Sequence, residues 1–148
     1  MKKYICLALG VFLAAVLIQA SETSDSRTLN VTVHYKGTGS VDGNHVIGVA
    51  IWDSPTFMEP NSHARPTDVK VTKTNDSTVT FSGVSISPVY VTAAYDPSGK
   101  WDAVSGPPPA GTSLGMYSKE PGKPESVRID PGQSASIELS FDDTIKKK

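Results

Sequence analysis

Leu29, Val31, Val33 and Tyr35 alternate with Asn30, Thr32 and His34 along TLNVTVHY (28–35), the two-residue period of a strand with one buried and one wet face. The period returns in DVKVTKT (68–74) with Val69 and Val71, and in TVTFS (78–82) with Val79 and Phe81. It returns once more in SASIELSF (134–141), with Ala135, Ile137, Leu139 and Phe141. Two segments differ. HVIGVAIW (45–52) and VYVTAAY (89–95) are apolar at nearly every residue, which predicts central strands covered on both faces or nearly so. Turn chemistry separates the pieces at GTGSVDGN (37–44), TNDS (74–77) and DPGQ (130–133). No helical period of useful length follows residue 20. About seven short strands with this spacing predict an all-β, antiparallel β-sandwich. The alternation places Phe81, Val91, Ile137 and Leu139 in its core.

The N-terminus has a different pattern. MKKYICLALGVFLAAVLIQA (1–20) joins a positive start at Lys2 and Lys3 to an apolar run from Ile5 to Ile18, with a small residue, Ala20, before Ser21. That is the layout of a cleaved secretory signal peptide, and the expected location is secreted or periplasmic. The apolar run is shorter than the ~18–20 residues of a bilayer span, so no membrane span is expected after cleavage. SETSDSR (21–27) reads as a disordered leader, 28–143 as the sandwich, and 144–148 as a solvated basic tail.

Cleavage changes the chemistry of the chain. It removes Cys6, the one cysteine, and with it any disulfide, thiol nucleophile or thiolate metal site. It also removes two lysines, leaving 12 basic against 15 acidic side chains, a charge of −3. Nothing there favours a nucleic-acid partner, which calls for a basic face. His34, His45 and His63 lack metal-ligand spacing, and neither a nucleophile elbow nor a Ser-x-x-Lys pair occurs. The expectation is a protein that is not an enzyme. Asn30-Val-Thr and Asn75-Asp-Ser match the glycan acceptor pattern, and both are expected to be bare.

FSGVSISPVYVTAAYD (81–96) resembles the signature of carboxypeptidase-regulatory-like and transthyretin-like β-sandwich modules. These carry an aromatic, a glycine, an aliphatic residue, a short turn, then glycine-x-tyrosine leading a strand. Phe81, Gly83, Val84, Tyr90 and Val91 match, while Pro88 stands where the family usually has glycine. YDPSGKWD and ASIELSFDD are similar to the tails of small secreted bacterial proteins built on this module. The resemblance spans 66–96 and implies a transthyretin-like, Greek-key sandwich with an accessory, adhesive or small-ligand-binding role. Partners of that kind are carbohydrate or another cell-envelope protein.

The candidate site is the long connection AAYDPSGKWDAVSGPPPAGTSLGMY (93–117). Tyr95, Trp101 and Tyr117 around three prolines could form a ligand platform, with Asp102 as polar partner. Asp96, Ser98 and Asp102 partly imitate a calcium loop, but no acid or amide occupies the second or fourth position after Asp96. The favoured reading is a stiff connection, with Asp96 capping the Pro97-Ser98-Gly99 turn and Trp101 folded back to cover the sandwich's open end. Calcium is otherwise the only cofactor the chain suggests. If strands alternate in direction, Asp42, Asp76, Asp96, Asp102 and Trp101 share one rim. Trp52, Phe57, His63, Asp142 and Asp143 are then expected at the other.

Overall fold

The computed structural model describes residues 25–59 and 62–148. Residues 1–24, on which the expected signal peptide falls, and residues 60 and 61 lie outside the described residues. Seven strands form: β1 (Arg27–Tyr35), β2 (Ile47–Trp52), β3 (Asp68–Thr72), β4 (Ser77–Val84), β5 (Tyr90–Tyr95), β6 (Ser113–Met116) and β7 (Ser134–Phe141). A short 3-10 helix, Pro55–Met58, follows β2. The strands make a three-stranded sheet, β4-β1-β7, and a four-stranded sheet, β3-β2-β5-β6. Leu29, Val31, Val33, Phe81 and Leu139 of the first meet Ile47, Val49, Ile51, Val91 and Tyr95 of the second in one buried core. The four residues expected inside, Phe81, Val91, Ile137 and Leu139, are all buried.

Three expectations need correction. The leader ends earlier than residue 27, because Arg27 opens β1 and its Nε donates to the Ile129 carbonyl at 3.0 Å. The sandwich is not wholly antiparallel, since β7 runs parallel to β1 over eight residue pairs, Thr28↔Ser134 to Tyr35↔Phe141. The cause lies in residues 117–133, which make no additional crossing strand; Val127 forms only an isolated bridge to Val89. β7 therefore ends at the same rim as β1, and Asp142 and Asp143 land beside Tyr35 and Thr38, not at the opposite end.

The basic tail is also not simply solvated. Residues 145–147 lie extended along the outer edge of β6. Leu114 N–H donates to the Ile145 carbonyl, Lys147 N–H to the Thr112 carbonyl and Gly111 N–H to the Lys147 carbonyl, each at 2.8 Å. On the opposite flank the edges of β3 and β4 are blocked by side chains. Lys70 Nζ donates to the Thr80 carbonyl at 2.7 Å, and the Asp68 carboxylate accepts the Val69 N–H at 2.8 Å. Lysines and inward-turned carboxylates are common devices against edge-to-edge association.

Candidate functional site

The loop 96–112 leaves β5 through a cap made by one carboxylate. Asp96 is buried and accepts four donors: Ser98 N–H at 2.9 Å, Ser98 Oγ at 2.6 Å, Lys100 N–H at 3.1 Å and Trp101 N–H at 3.0 Å. Burial alone would push its carboxyl up, but these donors together hold it below the usual carboxylate range. The expected turn around Pro97-Ser98-Gly99 is present, with Gly99 at φ 65° supplying the left-handed residue. Asp102 caps a second turn, accepting from the Ser105 hydroxyl and from Val104 N–H at 3.1 Å. Both candidate calcium carboxylates thus face donors of their own turns. Among the described residues no three of His, Cys, Asp or Glu gather as a metal set.

The aromatic platform comes apart in the structure. Tyr95 is 2% exposed, stacks on Tyr35 at 4.2 Å between ring centroids, and its hydroxyl donates to the Ser40 carbonyl at 3.0 Å. It is a core residue, because its place on β5 puts it on the inward face opposite Ile47. Tyr117 lies beyond the far end of β6, packed against the core, with its N–H on the Val91 carbonyl at 2.9 Å. Only Trp101 and Asp102 stay together at the loop. The Trp101 indole Nε1 donates to the Gly106 carbonyl at 3.0 Å, just before the prolines, and its ring lies on the outer face of β2 at Gly48, not over the sandwich's open end as expected.

Gly48 is what admits that ring. A Cβ at this position would stand 2.7 Å from the Trp101 ring and 2.8 Å from the Ala103 side chain. Gly48→Ala is therefore expected to lift Trp101 off the sheet, red-shifting its fluorescence, while β2 keeps its backbone pairing. Unchanged emission in Gly48→Ala would show that the indole does not rest there.

Trp101 marks the upper end of a feature that sequence reasoning missed. The outward residues of the four-stranded sheet form two rows across it: Val71, Gly48, Ala94, Leu114 and then Val69, Ala50, Thr92, Met116. Small side chains occupy the central strands and larger ones the flanks; Trp101 and Ala103 lie over the first row at Gly48, leaving the half-buried second row as a shallow apolar trough. Trp52 closes the lower end, 4.9 Å from the Phe57 ring, with its Nε1 donating to Thr92 Oγ1 at 2.9 Å. Val71 is 40% exposed, and Met58 and Val104 are 47% and 66% exposed. The signal was present in HVIGVAIW and VYVTAAY, whose unbroken apolarity denotes two apolar faces without saying what covers the second.

The outward face of the three-stranded sheet has the opposite character. Its rows read Ser82-Thr28-Ser134, Thr80-Asn30-Ser136 and Thr78-Thr32-Glu138. Cross-strand bonds join Thr32 to Thr78 at 2.9 Å and Thr80 to Asn30 at 2.8 Å. Cross-strand pairs of this kind stabilise a sheet face that otherwise meets water.

A second cluster, also unforeseen, sits where β1, β6 and β7 end. Asp143 Oδ1 accepts the Tyr35 hydroxyl at 2.6 Å and the Ser113 hydroxyl at 2.7 Å. Its Oδ2 accepts Thr38 N–H at 3.0 Å and the Thr38 hydroxyl at 3.1 Å. The Tyr35 bond, then those from Ser113 and Thr38, hold the Asp143 carboxyl well below the usual carboxylate range. Burial, and then Asp143, push the Tyr35 phenol up to about 12. The arrangement clamps the ends of β1, β6 and β7 together, and Lys146 Nζ stands 3.7 Å from Asp143 Oδ1.

No protein-family model matches the chain, and no curated protein does. Among solved structures it is similar to an alternative pilotin from the type II secretion system of Vibrio cholerae. The identity is 13%, over 83% of this chain and 98% of that one, with a TM-score of 0.49. It is also similar to the major pilin of Streptococcus pyogenes, at 13% identity and a TM-score of 0.24. There the match covers 80% of this chain but spans about half, 48%, of the pilin. At such identities and TM-scores no role passes from these proteins to this one. The class is an all-β sandwich of two sheets and seven strands.

Proposed function

We propose that this protein is a non-catalytic β-sandwich module, secreted or periplasmic, that holds another cell-envelope protein against its four-stranded sheet. The observation that carries this reading is the contrast between the two outward faces, one lined by hydroxyls and a glutamate, the other a half-buried apolar trough between Trp101 and Trp52. Contiguous exposed apolar surface with a polar surround is the usual mark of a contact site. Thr92, the polar group inside the trough, is already occupied by the Trp52 indole, so apolar contact dominates and a protein segment fits better than a sugar. The signal peptide read at 1–20 supports export. The resemblance of 81–96 to carboxypeptidase-regulatory-like and transthyretin-like modules supports an accessory or adhesive role. The use of Asp96 and Asp102 as turn caps supports a scaffolding loop.

A carbohydrate- or calcium-dependent binder using the 96–113 loop is the second reading, favoured by Trp101 and Asp102 lying side by side. The two are separated by experiment. A photo-crosslinking residue at Val71 is expected to give one discrete protein adduct in the native cell envelope, absent when the same residue replaces Thr32 on the polar face. The purified adduct partner should lose binding to Ala50→Asp. Saturable quenching of Trp101 fluorescence by calcium or an oligosaccharide, lost in Trp101→Phe, would instead establish the second reading.

A further inference from the structure

Each sheet has two edges, and three of the four are guarded. Asp68 on β3 and Lys70 reaching β4 turn side chains onto edge backbone groups, and residues 145–147 pair with the edge of β6. The fourth edge is the outer side of β7, whose other side pairs with β1. Thr28 N–H donates to the Gln133 carbonyl and Lys36 N–H to the Phe141 carbonyl, so the odd-numbered residues of β7 turn their backbone groups toward β1. The N–H and C=O groups of Ser134, Ser136, Glu138 and Ser140 therefore point away from the sheet. Among the described residues no backbone hydrogen bond reaches them.

SASIELSF has no proline, glycine or lysine to deter another strand, and its register with β1 runs through eight pairs without a shift. An added antiparallel strand must set outward-bonding residues opposite outward-bonding residues, with polar and apolar side chains on matching faces. A second copy of β7 meets both conditions by symmetry. With a two-fold axis at Ile137, Ser134 stands opposite Ser140 of the second copy and Ser136 opposite its Glu138, so a hydroxyl meets each carboxylate. On the inward face Ala135 then meets Leu139, and Ile137 meets itself. Other registers are worse. An axis at Glu138 sets two carboxylates against each other, and an axis at Ser136 brings Ser140 against Gly132, outside the strand at φ 71°.

We propose that the outer edge of β7 is a self-association edge, on which a second copy of this chain lays its own β7 antiparallel about a two-fold axis at Ile137. The join makes one sheet, in the order β4-β1-β7-β7-β1-β4. Each opposed pair of outward-bonding residues exchanges two backbone hydrogen bonds, and the Ser136 hydroxyl donates to the facing Glu138 carboxylate. Ala135, half-buried at the rim of the core, is covered by Leu139 of the second copy. The assembly closes at two copies, because the far edge of the joined sheet is β4, which Lys70 guards. One pair of short strands is a small interface, so the dimer is weak and reversible. β7 is separate from the trough, and its test reads different residues, so either proposal can fail alone.

The test is sedimentation velocity on the whole protein from about 10 µM to about 1 mM, where a monomer–dimer equilibrium is expected. Ser136 and Glu138 are exposed on the polar face, so substitutions there spare the core. Ser136→Glu sets like charges opposite each other twice by symmetry and should weaken the dimer about tenfold. Ser136→Lys should tighten it about threefold, and adding Glu138→Lys to Ser136→Glu should restore it. In hydrogen exchange the Ser136 and Glu138 amides should slow as concentration rises, while the Ile137 amide, bonded to β1, stays constant. A protein that remains monomeric up to about 1 mM would overturn the proposal. So would a dimer that Ser136→Glu leaves unchanged, or one that forms without slowing the Ser136 and Glu138 amides.

Discussion

Phe81→Ala is expected to destabilise the protein by about 3–5 kcal/mol, enough to unfold a large fraction of a domain of ordinary stability. Phe81 is fully buried in β4, opposite Leu29 of β1, and its ring faces the second sheet within the common core. Deleting it removes a large apolar surface and leaves a cavity that strands on both sides are too constrained to fill. Leu139→Ala on β7 should behave similarly, at about 2–5 kcal/mol. Urea unfolding followed by circular dichroism measures both. A midpoint unchanged in either variant would mean the inward face has been misassigned.

Asp143→Ala is expected to cost on the order of 3 kcal/mol, because it strips the acceptor from two buried hydroxyls, those of Tyr35 and Ser113. Charge-assisted bonds of this kind are stronger than neutral ones, so Asp143→Asn should fall between wild type and alanine. The pH dependence follows from the direction of the shift. The folded carboxyl titrates below its unfolded value, so its contribution is fully present above about pH 4 and is lost as pH falls through the folded value. Wild type and Asp143→Asn should therefore differ most near neutrality and converge in acid. Urea midpoints at about pH 7 and about pH 2.5 test this; a gap that stays constant would mean that the Asp143 charge has no part in the clamp.

The alternation of apolar residues is sufficient to locate four strands and their buried faces, because a side chain's face in a strand depends only on its parity, and two unbroken apolar runs locate β2 and β5. Thus the burial of Leu29, Phe81, Val91 and Leu139 is legible in the order of residues alone. The Asp96 cap is legible too, since a carboxylate before Pro-Ser-Gly finds its donors within a few residues. Short elements without a period are not. Ser113–Met116 is four residues long, and one glycine among them erases the alternation.

What the tertiary structure decided is everything that depends on which strands become neighbours. Local pattern carries no information about distance across the chain, so nothing in SASIELSFDD announced that β7 would lie parallel to β1 and bring Asp143 to Tyr35, 108 residues away. Nor did TIKKK reveal that its backbone would cover β6, because backbone pairing is blind to side-chain identity. The trough is the clearest case. Val69, Ala50, Thr92 and Met116 come from four strands, and each alone is an ordinary strand residue. Only the pairing order β3-β2-β5-β6 sets them in one row, half-buried on the outward face.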